Sequence, residues 1–291
     1  MHIVFAYIKF LLRSTNQHGV HSPFVYSLVT KCFYDRKKYP SYALLKEHRK
    51  SLLKDKKTIQ ITDFGAGSKV FKTDTRKVSK MAKNAGISPK RARLLNRLVR
   101  YLEVDRAVEL GTSLGLGTAA IAAGNMVKIT TIEGCPETAK IAGEKFKEFG
   151  FDNIQLKVGK FEEFLGEKRI QNSRFKIQDS KIASTDNRQP TTGNRQQAIH
   201  NSELLTQNFD LLFIDGHHQK EATLSYFEKL LPLIHNDSVM IFDDIHWSKG
   251  MEAAWEEIKA NPKVTVSIDT FQWGLVFFRR EQEKEHFVIR I

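Results

Sequence analysis

The chain has 291 residues, of which 41% are hydrophobic and 27% charged, as is typical of a globular protein with a sizeable core. No stretch contains the roughly 18 consecutive apolar residues of a membrane-spanning helix, so none is expected. Cys32 and Cys135 are too few and too far apart for a disulfide framework or a zinc site, and the sequence therefore predicts a protein of the reducing cytoplasm.

Positive charge is concentrated in the first third of the chain. Residues 1–100 carry 23 Lys and Arg against five Asp and Glu, whereas residues 101–291 carry 23 against 28. Such a surplus can indicate an anionic partner such as nucleic acid, or basic side chains that solvate helices lying against a mildly acidic domain. Because clusters such as RKK and KDKK are short, composition alone favours the second interpretation.

The first third of the chain is predicted to be mostly helical. Residues 1–13, MHIVFAYIKFLLR, lack the basic start and the small-residue cleavage site of a targeting segment, so we expect a helix packed on the protein body. Ser-Pro pairs at 22–23 and 88–89 each provide an N-cap and a proline at the first helical position. Between them, TIQITDFGAGSK (58–69) has the pattern of a strand that enters a turn containing glycine.

From about residue 104, apolar strands alternate with amphipathic helices. This alternation requires right-handed crossovers and predicts an α/β fold that is Rossmann-like, with a mainly parallel sheet covered on both faces. Only about four residues separate the last two strands, which predicts a terminal antiparallel hairpin. Seven strands are predicted: RAVEL (106–110), VKITTIE (127–133), NIQLKVG (153–159), FDLLFID (209–215), SVMIFDD (238–244), VTVSI (264–268) and WGLVFF (273–278).

These patterns divide the chain into two parts. Residues 1–90 are predicted to form a basic, mostly helical extension, and residues 91–291 the α/β domain. Within this domain, residues 166–208 are polar, lack sustained periodicity and exceed the length of an ordinary connection. We interpret this segment as a mobile surface insertion, with a lid as the alternative.

A cluster of glycines follows the first strand of the α/β domain, in AVELGTSLGLGTAAIA (107–122). A dinucleotide fingerprint that begins at Gly111 would need glycines where the chain has Ser and Leu, and one that begins at Gly115 would extend the strand through polar residues. The strand therefore ends at Leu110, and the Glu109 carboxylate lies just before the first glycine of the loop. It would repel a pyrophosphate and suits the ammonium group of a methionine moiety, so the loop favours S-adenosylmethionine over a nicotinamide dinucleotide.

The motif VELGTSLG (108–115), followed by TTIEG (130–134), resembles the cofactor-binding half of the class I S-adenosylmethionine-dependent methyltransferases. The resemblance covers about residues 91–280 and implies the fold and the cofactor of that family. Gly117 departs from the pattern, since many members have Ser or Thr there. The resemblance assigns the methionine moiety to Glu109, Gly111, Thr112, Ser113 and Gly115, the ribose to Glu133, and the adenine to Gly159, Lys160 and Phe161.

Two further segments place carboxylates at the carboxyl ends of neighbouring strands, the edge at which open parallel sheets bind ligands. FIDGHH (213–218) contains Asp215, and IFDDIHW (241–247) contains Asp243 and Asp244. Three carboxylates gathered there repel one another unless protons or a divalent cation neutralise them, and oxygen ligands suit Mg²⁺, Ca²⁺ or Mn²⁺. Alternatively, the paired aspartates could cap the following helix.

This arrangement is similar to that of the metal-dependent O-methyltransferases of the catechol and macrolide types. The resemblance implies that Asp215, Asp243 and Asp244 hold a divalent cation, with Mg²⁺ the expected ion, and that Asp215 also contacts the cofactor. It assigns His218, three residues beyond Asp215, as the base that removes a proton from the acceptor hydroxyl. A neutral imidazole suits this role near pH 7.

The expected reaction is methyl transfer to a hydroxyl group of a small molecule. NQHGVHSPF (16–24) and DFGAGSK (63–69) resemble N-terminal parts of bacterial methyltransferase-like proteins, which implies no substrate. Our hypothesis is that this part folds over the carboxyl edge of the sheet and helps to bind the acceptor.

His217 and His246 are interpreted as loop histidines bonded to backbone or solvent. Two alternatives stay open: a nicotinamide-dependent oxidoreductase, and an RNA methyltransferase or nucleic-acid-binding protein that uses the basic first third.

Overall fold

The structure, a computed structural model, describes residues 2–62, 74–84, 86–166 and 207–291. The turn predicted at DFGAGSK (63–69) and nearly all of the insertion predicted at 166–208 lie outside the described residues. Within the described ranges, none of the helices has the length and apolar character needed to cross a bilayer.

The N-terminal part of the chain is mostly helical, as predicted. Two helices begin where the Ser-Pro pairs predict them, because the hydroxyls of Ser22 and Ser88 accept hydrogen bonds from the amides of Val25 and Arg91. A π-helical turn, Val29–Phe33, extends the first of these helices. The elements are α1 (His2–Arg13), α2 (Pro23–Leu28), α3 (Ser41–Lys54), β1 (Thr58–Gln60), β2 (Thr75–Lys77), α4 (Val78–Asn84) and α5 (Pro89–Tyr101), and β1 and β2 form a small antiparallel sheet.

A mainly parallel eight-stranded sheet forms the rest of the fold. Its strands are β3 (Arg106–Leu110), β4 (Lys128–Glu133), β5 (Ile154–Val158), β6 (Leu211–Ile214), β7 (Val239–Asp243), β8 (Val266–Asp269), β9 (Trp273–Phe277) and β10 (Glu285–Val288). They lie in the order β10-β8-β9-β7-β6-β3-β4-β5, and β9 runs antiparallel to both neighbours. The connecting helices in the described part are α6 (Leu116–Ala122), α7 (Pro136–Glu148), α8 (Phe161–Leu165), α9 (Lys220–Leu230) and α10 (Lys249–Ala260).

The sheet differs from the prediction at one end. All seven predicted strands are present, and β8 and β9 form the antiparallel pair. However, β9 lies between β7 and β8, and an eighth strand, β10, pairs in parallel with the other edge of β8. The segment of β10 is short, incompletely buried and preceded by charged residues, so it lacks the apolar pattern that identifies the other strands.

The hydrophobic core lies on both faces of the large sheet. On one face, the N-terminal helices and α5–α7 pack around fully buried side chains that include Leu28, Leu52 and Leu95. On the other face, α9 and α10 contribute Tyr226 and Trp255. Because residues before 91 belong to the first of these clusters, the N-terminal part shares a core with the α/β domain.

Candidate active site

The glycine loop joins β3 to α6 at the carboxyl edge of the sheet. Gly111 has a φ of +105°, and a Cβ atom there would collide with the backbone carbonyl of Asp215, which follows β6. Gly115 caps α6 with a φ of +78°, and a Cβ atom there would collide with the ring of Phe146. Only glycine satisfies both the backbone angle and the close approach at these positions.

Glu133, at the end of β4, organises this loop from the neighbouring strand. Its Oε2 accepts a hydrogen bond of 2.7 Å from the Ser113 amide, and its Oε1 accepts one of 2.9 Å from the Cys135 amide. The carboxylate borders a cavity of about 380 Å³, here called the glycine-loop cavity. Seven of the residues predicted to bind the cofactor line this cavity: Gly111, Ser113, Glu133, Gly159, Lys160, Phe161 and Asp215.

Glu109 does not line the glycine-loop cavity. It is only 1% exposed, and its Oε2 accepts hydrogen bonds of 2.5 Å from the Thr118 hydroxyl and 2.6 Å from the Thr131 hydroxyl. Burial raises the pKa of Glu109 to about 7, although the two threonine hydrogen bonds oppose the shift. The carboxyl group thus connects helix α6 to strand β4 beneath the glycine loop. Its contact with a methionine moiety stays a prediction.

Two other predicted cofactor residues, Thr112 and Gly115, also lie outside the cavity lining. Thr112 is buried, and its hydroxyl lies 2.6 Å from that of Thr131. The buried Glu109 carboxyl group also accounts for the departure of Gly117 from the family pattern. A Cβ atom at Gly117 would lie 2.5 Å from Oε1 of Glu109, so no side chain fits between helix α6 and this carboxyl group.

The sequence did not identify which residues of the N-terminal part line the glycine-loop cavity. Ile61, Thr62, Arg76 and Met81, from the region of the small β1–β2 sheet and α4, line the cavity. The Thr62 amide also lies 3.4 Å from the sulfur of Cys135. No motif marks these residues, because only the tertiary fold brings them to the carboxyl edge of the large sheet. Their position agrees with the hypothesis that the N-terminal part covers this edge.

The acidic cluster lies where β6 and β7 end. Asp215, His218 and Asp243 each offer a ligand atom, and these three atoms lie within 4.8 Å of one another. Burial raises the pKa of Asp215 to about 7, with a hydrogen bond to Asp243 opposing and the charge of Asp244 adding to the shift. Burial and the Asp215 charge likewise raise the pKa of Asp243. The site thus disfavours a second negative charge unless a cation is present.

Asp244 is placed differently from the other two aspartates. It has a left-handed backbone with a φ of +52°, and its amide donates a hydrogen bond of 2.7 Å to the carbonyl of Gln272. The convergent group found among the described residues contains His218 in place of Asp244. The geometry therefore brings together two of the three predicted cation ligands and adds the predicted base to them, at 3.7 Å from Asp215.

Arg91 is a site residue that sequence reasoning missed. From the first turn of α5, its Nη1 donates a hydrogen bond of 2.9 Å to Oδ1 of Asp243, and both side chains are largely buried. Its guanidinium carbon lies 5.8 Å from the centre of the Trp273 ring. The pair is separated by 152 positions, so no local pattern predicts it. Arg91 supplies a fixed positive charge to the acidic cluster.

A second cavity, of about 530 Å³, lies beside Arg91 and is here called the α1 cavity. Its walls are mostly apolar and aromatic, its other side chains are basic or uncharged polar, and no acidic residue of the described ranges lines it. Arg91 and Trp273 line it, and Trp273 pairs with Asp243 in the β7–β9 ladder. Asp215 lines the glycine-loop cavity, and Asp243 is linked to the α1 cavity through Arg91 and Trp273. The α1 walls are Ile3, Val4, Tyr7 and Phe10, and the opposite walls include Phe33, Leu94 and Phe271.

His217 and His246 are bonded to side chains, so their interpretation as histidines bonded to backbone or solvent is wrong. Nδ1 of His217 lies 2.7 Å from the Tyr226 hydroxyl. His246 bridges Glu252 at 3.0 Å and Asp269 at 2.9 Å. Burial lowers the pKa of His246, but these two carboxylates outweigh that effect and raise the pKa overall. The sequence gives no sign of these partners, because they come from other elements.

Comparisons with known proteins agree with this architecture. PaMTH1, a methyltransferase from Podospora anserina solved with SAH bound, matches with a TM-score of 0.54 and 14% identity over 89% of this chain and 97% of that chain. TomG, an O-methyltransferase from Streptomyces achromogenes involved in tomaymycin synthesis and solved with SAM, matches with a TM-score of 0.50 and 16% identity over 86% of this chain and 95% of that chain. At these identities the likeness shows the fold.

The sequence comparisons add the family. No match was found among curated protein sequences. Residues 108–245, which include the glycine loop and the acidic cluster, match the model of a family described as a methyltransferase domain. Residues 108–245 are therefore similar to a methyltransferase domain, and the fold matches that of the solved methyltransferases.

Proposed function

We propose that this protein transfers the methyl group of S-adenosylmethionine to a hydroxyl group of a small molecule, with a divalent cation at the acidic cluster. The observation that carries the proposal is that Asp215 lines the glycine-loop cavity, while its partner Asp243 binds Arg91, which lines the α1 cavity. A donor in the first cavity and an acceptor in the second would meet at these carboxylates. The SAH and SAM held by PaMTH1 and TomG support the choice of methyl donor.

The glycine-loop cavity has the chemistry that S-adenosylmethionine requires. A carboxylate offers about four lone pairs, so Glu133 can hold the amides of Ser113 and Cys135 and also accept both ribose hydroxyls. The backbone at Gly111 and Ser113 would border the methionine moiety. The adenine would lie beyond β5, where Gly159, Lys160 and Phe161 line the cavity.

The acidic cluster fits a divalent cation. Asp215 and Asp243 would hold it, and the His218 ring lies beside them, since the three ligand atoms converge within 4.8 Å, while Asp244 contributes negative charge nearby. Two carboxylates suit Mg²⁺, and an imidazole in the same set also suits Mn²⁺ or Zn²⁺. When bound, the cation would lower the pKa of the acceptor hydroxyl and fix its distance from the methyl carbon.

The transfer itself is a direct displacement. The acceptor oxygen forms a bond to the methyl carbon while the bond from carbon to sulfur breaks, and the sulfur keeps the electron pair. His218 takes the hydroxyl proton on a ring nitrogen. This nitrogen cannot at the same moment be a cation ligand. The roles of base and ligand therefore predict different effects of His218→Ala on the affinity for the cation.

A labelled methyl-transfer screen tests the proposal. Small hydroxyl-bearing acceptors are incubated with labelled S-adenosylmethionine after chelation, with and without added Mg²⁺. We expect transfer to require the cation, and Asp243→Asn to lower transfer with partial recovery at high Mg²⁺, because mass action refills a weakened site. With His218 as the base, His218→Ala lowers transfer by about 10²–10⁴-fold at unchanged cation affinity, with partial rescue at higher pH.

Other outcomes identify which part of the proposal fails. Asp152→Asn, at an exposed position away from both cavities, is the matched control and should behave like the wild type. Transfer that survives chelation would remove the cation and leave Arg91 as the group that neutralises Asp243. Loss of cation affinity in His218→Ala would make His218 a ligand. Transfer to RNA alone would replace the small-molecule acceptor by nucleic acid.

A further inference from the structure

Helix α1 has two apolar faces, and only one of them packs against the rest of the protein. Ala6 and Phe10 are buried, and Phe10 packs against Phe271 of the β8–β9 loop with ring centres 5.5 Å apart. The other face points to solvent. Its members recur at helical spacing on the side opposite Ala6, and they are Val4, Phe5, Ile8 and Leu12, which are 59, 67, 49 and 84% exposed.

The charged side chains of α1 itself are positive, and Lys9 and Arg13 line a pocket together with Glu252, Glu256 and Asp269 of the protein body. Lys9 and Arg13 lie on α1 between the buried and the exposed face and are themselves exposed. The helix contains no acidic residue, and the first acidic residue of the chain is Asp35. An exposed apolar stripe flanked by Lys and Arg is typical of helices that lie in the boundary of an anionic bilayer. Nucleic acid would use the basic side chains but would leave the apolar stripe uncovered.

We propose that the exposed face of α1 docks on an anionic lipid surface. A helix of 12 residues is about 18 Å long, too short to cross a hydrocarbon core of about 30 Å, so it would lie in the plane of the head groups. Val4, Phe5, Ile8 and Leu12 then bury their side chains at the acyl boundary, and Lys9 and Arg13 contact the anionic head groups. Docking does not depend on the proposed methyl transfer.

The α1 cavity supports this orientation. Val4 and Tyr7 are exposed and also line the cavity, so the cavity borders the proposed lipid-facing surface. Lys90 and Arg290, two further exposed basic residues, line the same cavity. Val4 of the apolar stripe, Lys90 and Arg290 therefore border the same cavity, which a bilayer on this face of α1 would cover.

Cosedimentation of the full chain with lipid vesicles tests the docking. We expect binding to vesicles of phosphatidylcholine with phosphatidylglycerol, and at least tenfold weaker binding to phosphatidylcholine alone. The double variant Phe5→Glu/Leu12→Glu should weaken binding to the anionic vesicles at least tenfold. Leu53→Glu/Met126→Glu makes the same change of charge at exposed apolar positions on other surfaces and should bind like the wild type. Circular dichroism checks that all variants are folded.

Three results would overturn the proposal. One is the absence of wild-type binding to the anionic vesicles. Another is equal weakening by the two double variants, because net charge alone would then explain the effect. The last comes from sedimentation velocity: if Phe5→Glu/Leu12→Glu converts a wild-type dimer into a monomer without vesicle binding by either, the face is covered by a second copy of the chain.

Discussion

At the scale of single residues, Glu133 connects the glycine loop to the cofactor proposed to lie beside it. Glu133→Ala removes the acceptor of the Ser113 and Cys135 amides together with the proposed acceptor of the ribose hydroxyls. We expect the affinity for S-adenosylhomocysteine, measured by calorimetry, to fall by about 2–3 kcal/mol. Glu137→Ala, an exposed acid on α7, is the control. Equal affinities for wild type and Glu133→Ala would refute the ribose role.

Glu109 predicts a dependence of stability on pH. Its folded-state pKa of about 7 is above its ordinary value of 4.5, so the folded protein retains a proton that the unfolded chain releases. The stability that this proton provides is complete below the ordinary pKa and is lost as the pH rises through about 7. Glu109→Gln keeps an acceptor for Thr118 and Thr131 without the titration.

Urea unfolding at several pH values measures this effect. Between about pH 4.5 and 7, the wild-type free energy of unfolding should fall more than that of Glu109→Gln, by up to roughly 3 kcal/mol. Glu137→Gln, at an exposed position, should follow the wild-type curve. Parallel curves for wild type and Glu109→Gln would mean that folding does not raise the pKa of Glu109.

The site residues differ in how far the sequence reveals them. Gly111 and Glu133 are identified because a motif of a few residues at the end of a strand has a local cause, the geometry of the turn and of the strand end. Arg91 cannot be identified this way, because its partner Asp243 is 152 positions away. The ligand atom that lies close to those of Asp215 and Asp243 belongs to His218 and not to Asp244. This depends on the backbone angles of the loops, which the spacing of residues in the sequence does not encode.

At the scale of secondary-structure elements, α5 positions Arg91 and depends on its N-cap. The Ser88 hydroxyl accepts a hydrogen bond from the Arg91 amide in the first turn of the helix. Ser88→Ala should therefore lower the free energy of unfolding by about 1 kcal/mol, measured by urea denaturation. Ser51→Ala is the matched control, since the Ser51 hydroxyl only donates to a carbonyl within α3. A Ser88→Ala protein as stable as the control would show that the cap contributes nothing.

Elements with a strong local signal are the ones that the sequence predicts. The Ser-Pro pairs satisfy backbone amides directly, and the predicted strands carry apolar runs or, in the edge strand β5, alternating apolar residues. By contrast, β2 and β10 are short and incompletely buried, and each is a strand only because a partner lies beside it. Their formation is decided by tertiary pairing, which outweighs intrinsic preference.

At the scale of the whole molecule, the N-terminal part completes the candidate active site. It lines the glycine-loop cavity near β1, β2 and α4, and it supplies α1 and the first turn of α5 to the second cavity. One hydrophobic cluster contains residues from both sides of position 90, among them Leu28 and Trp273. The division into 1–90 and 91–291 stays a prediction from sequence, and the shared core favours unfolding as one unit.

Unfolding of the full chain tests this cooperativity. All three tryptophans lie between residues 247 and 273 and report on the α/β domain, whereas Cys32 is a fully buried residue of the N-terminal part. In a Cys135→Ala background, we expect tryptophan fluorescence and pulse labelling of Cys32 to give the same urea midpoint. S-adenosylhomocysteine at about a hundred times its dissociation constant should raise the free energy of unfolding seen by both probes by about 2.7 kcal/mol. Exposure of Cys32 at a lower urea concentration would instead identify residues 1–90 as a separate folding unit.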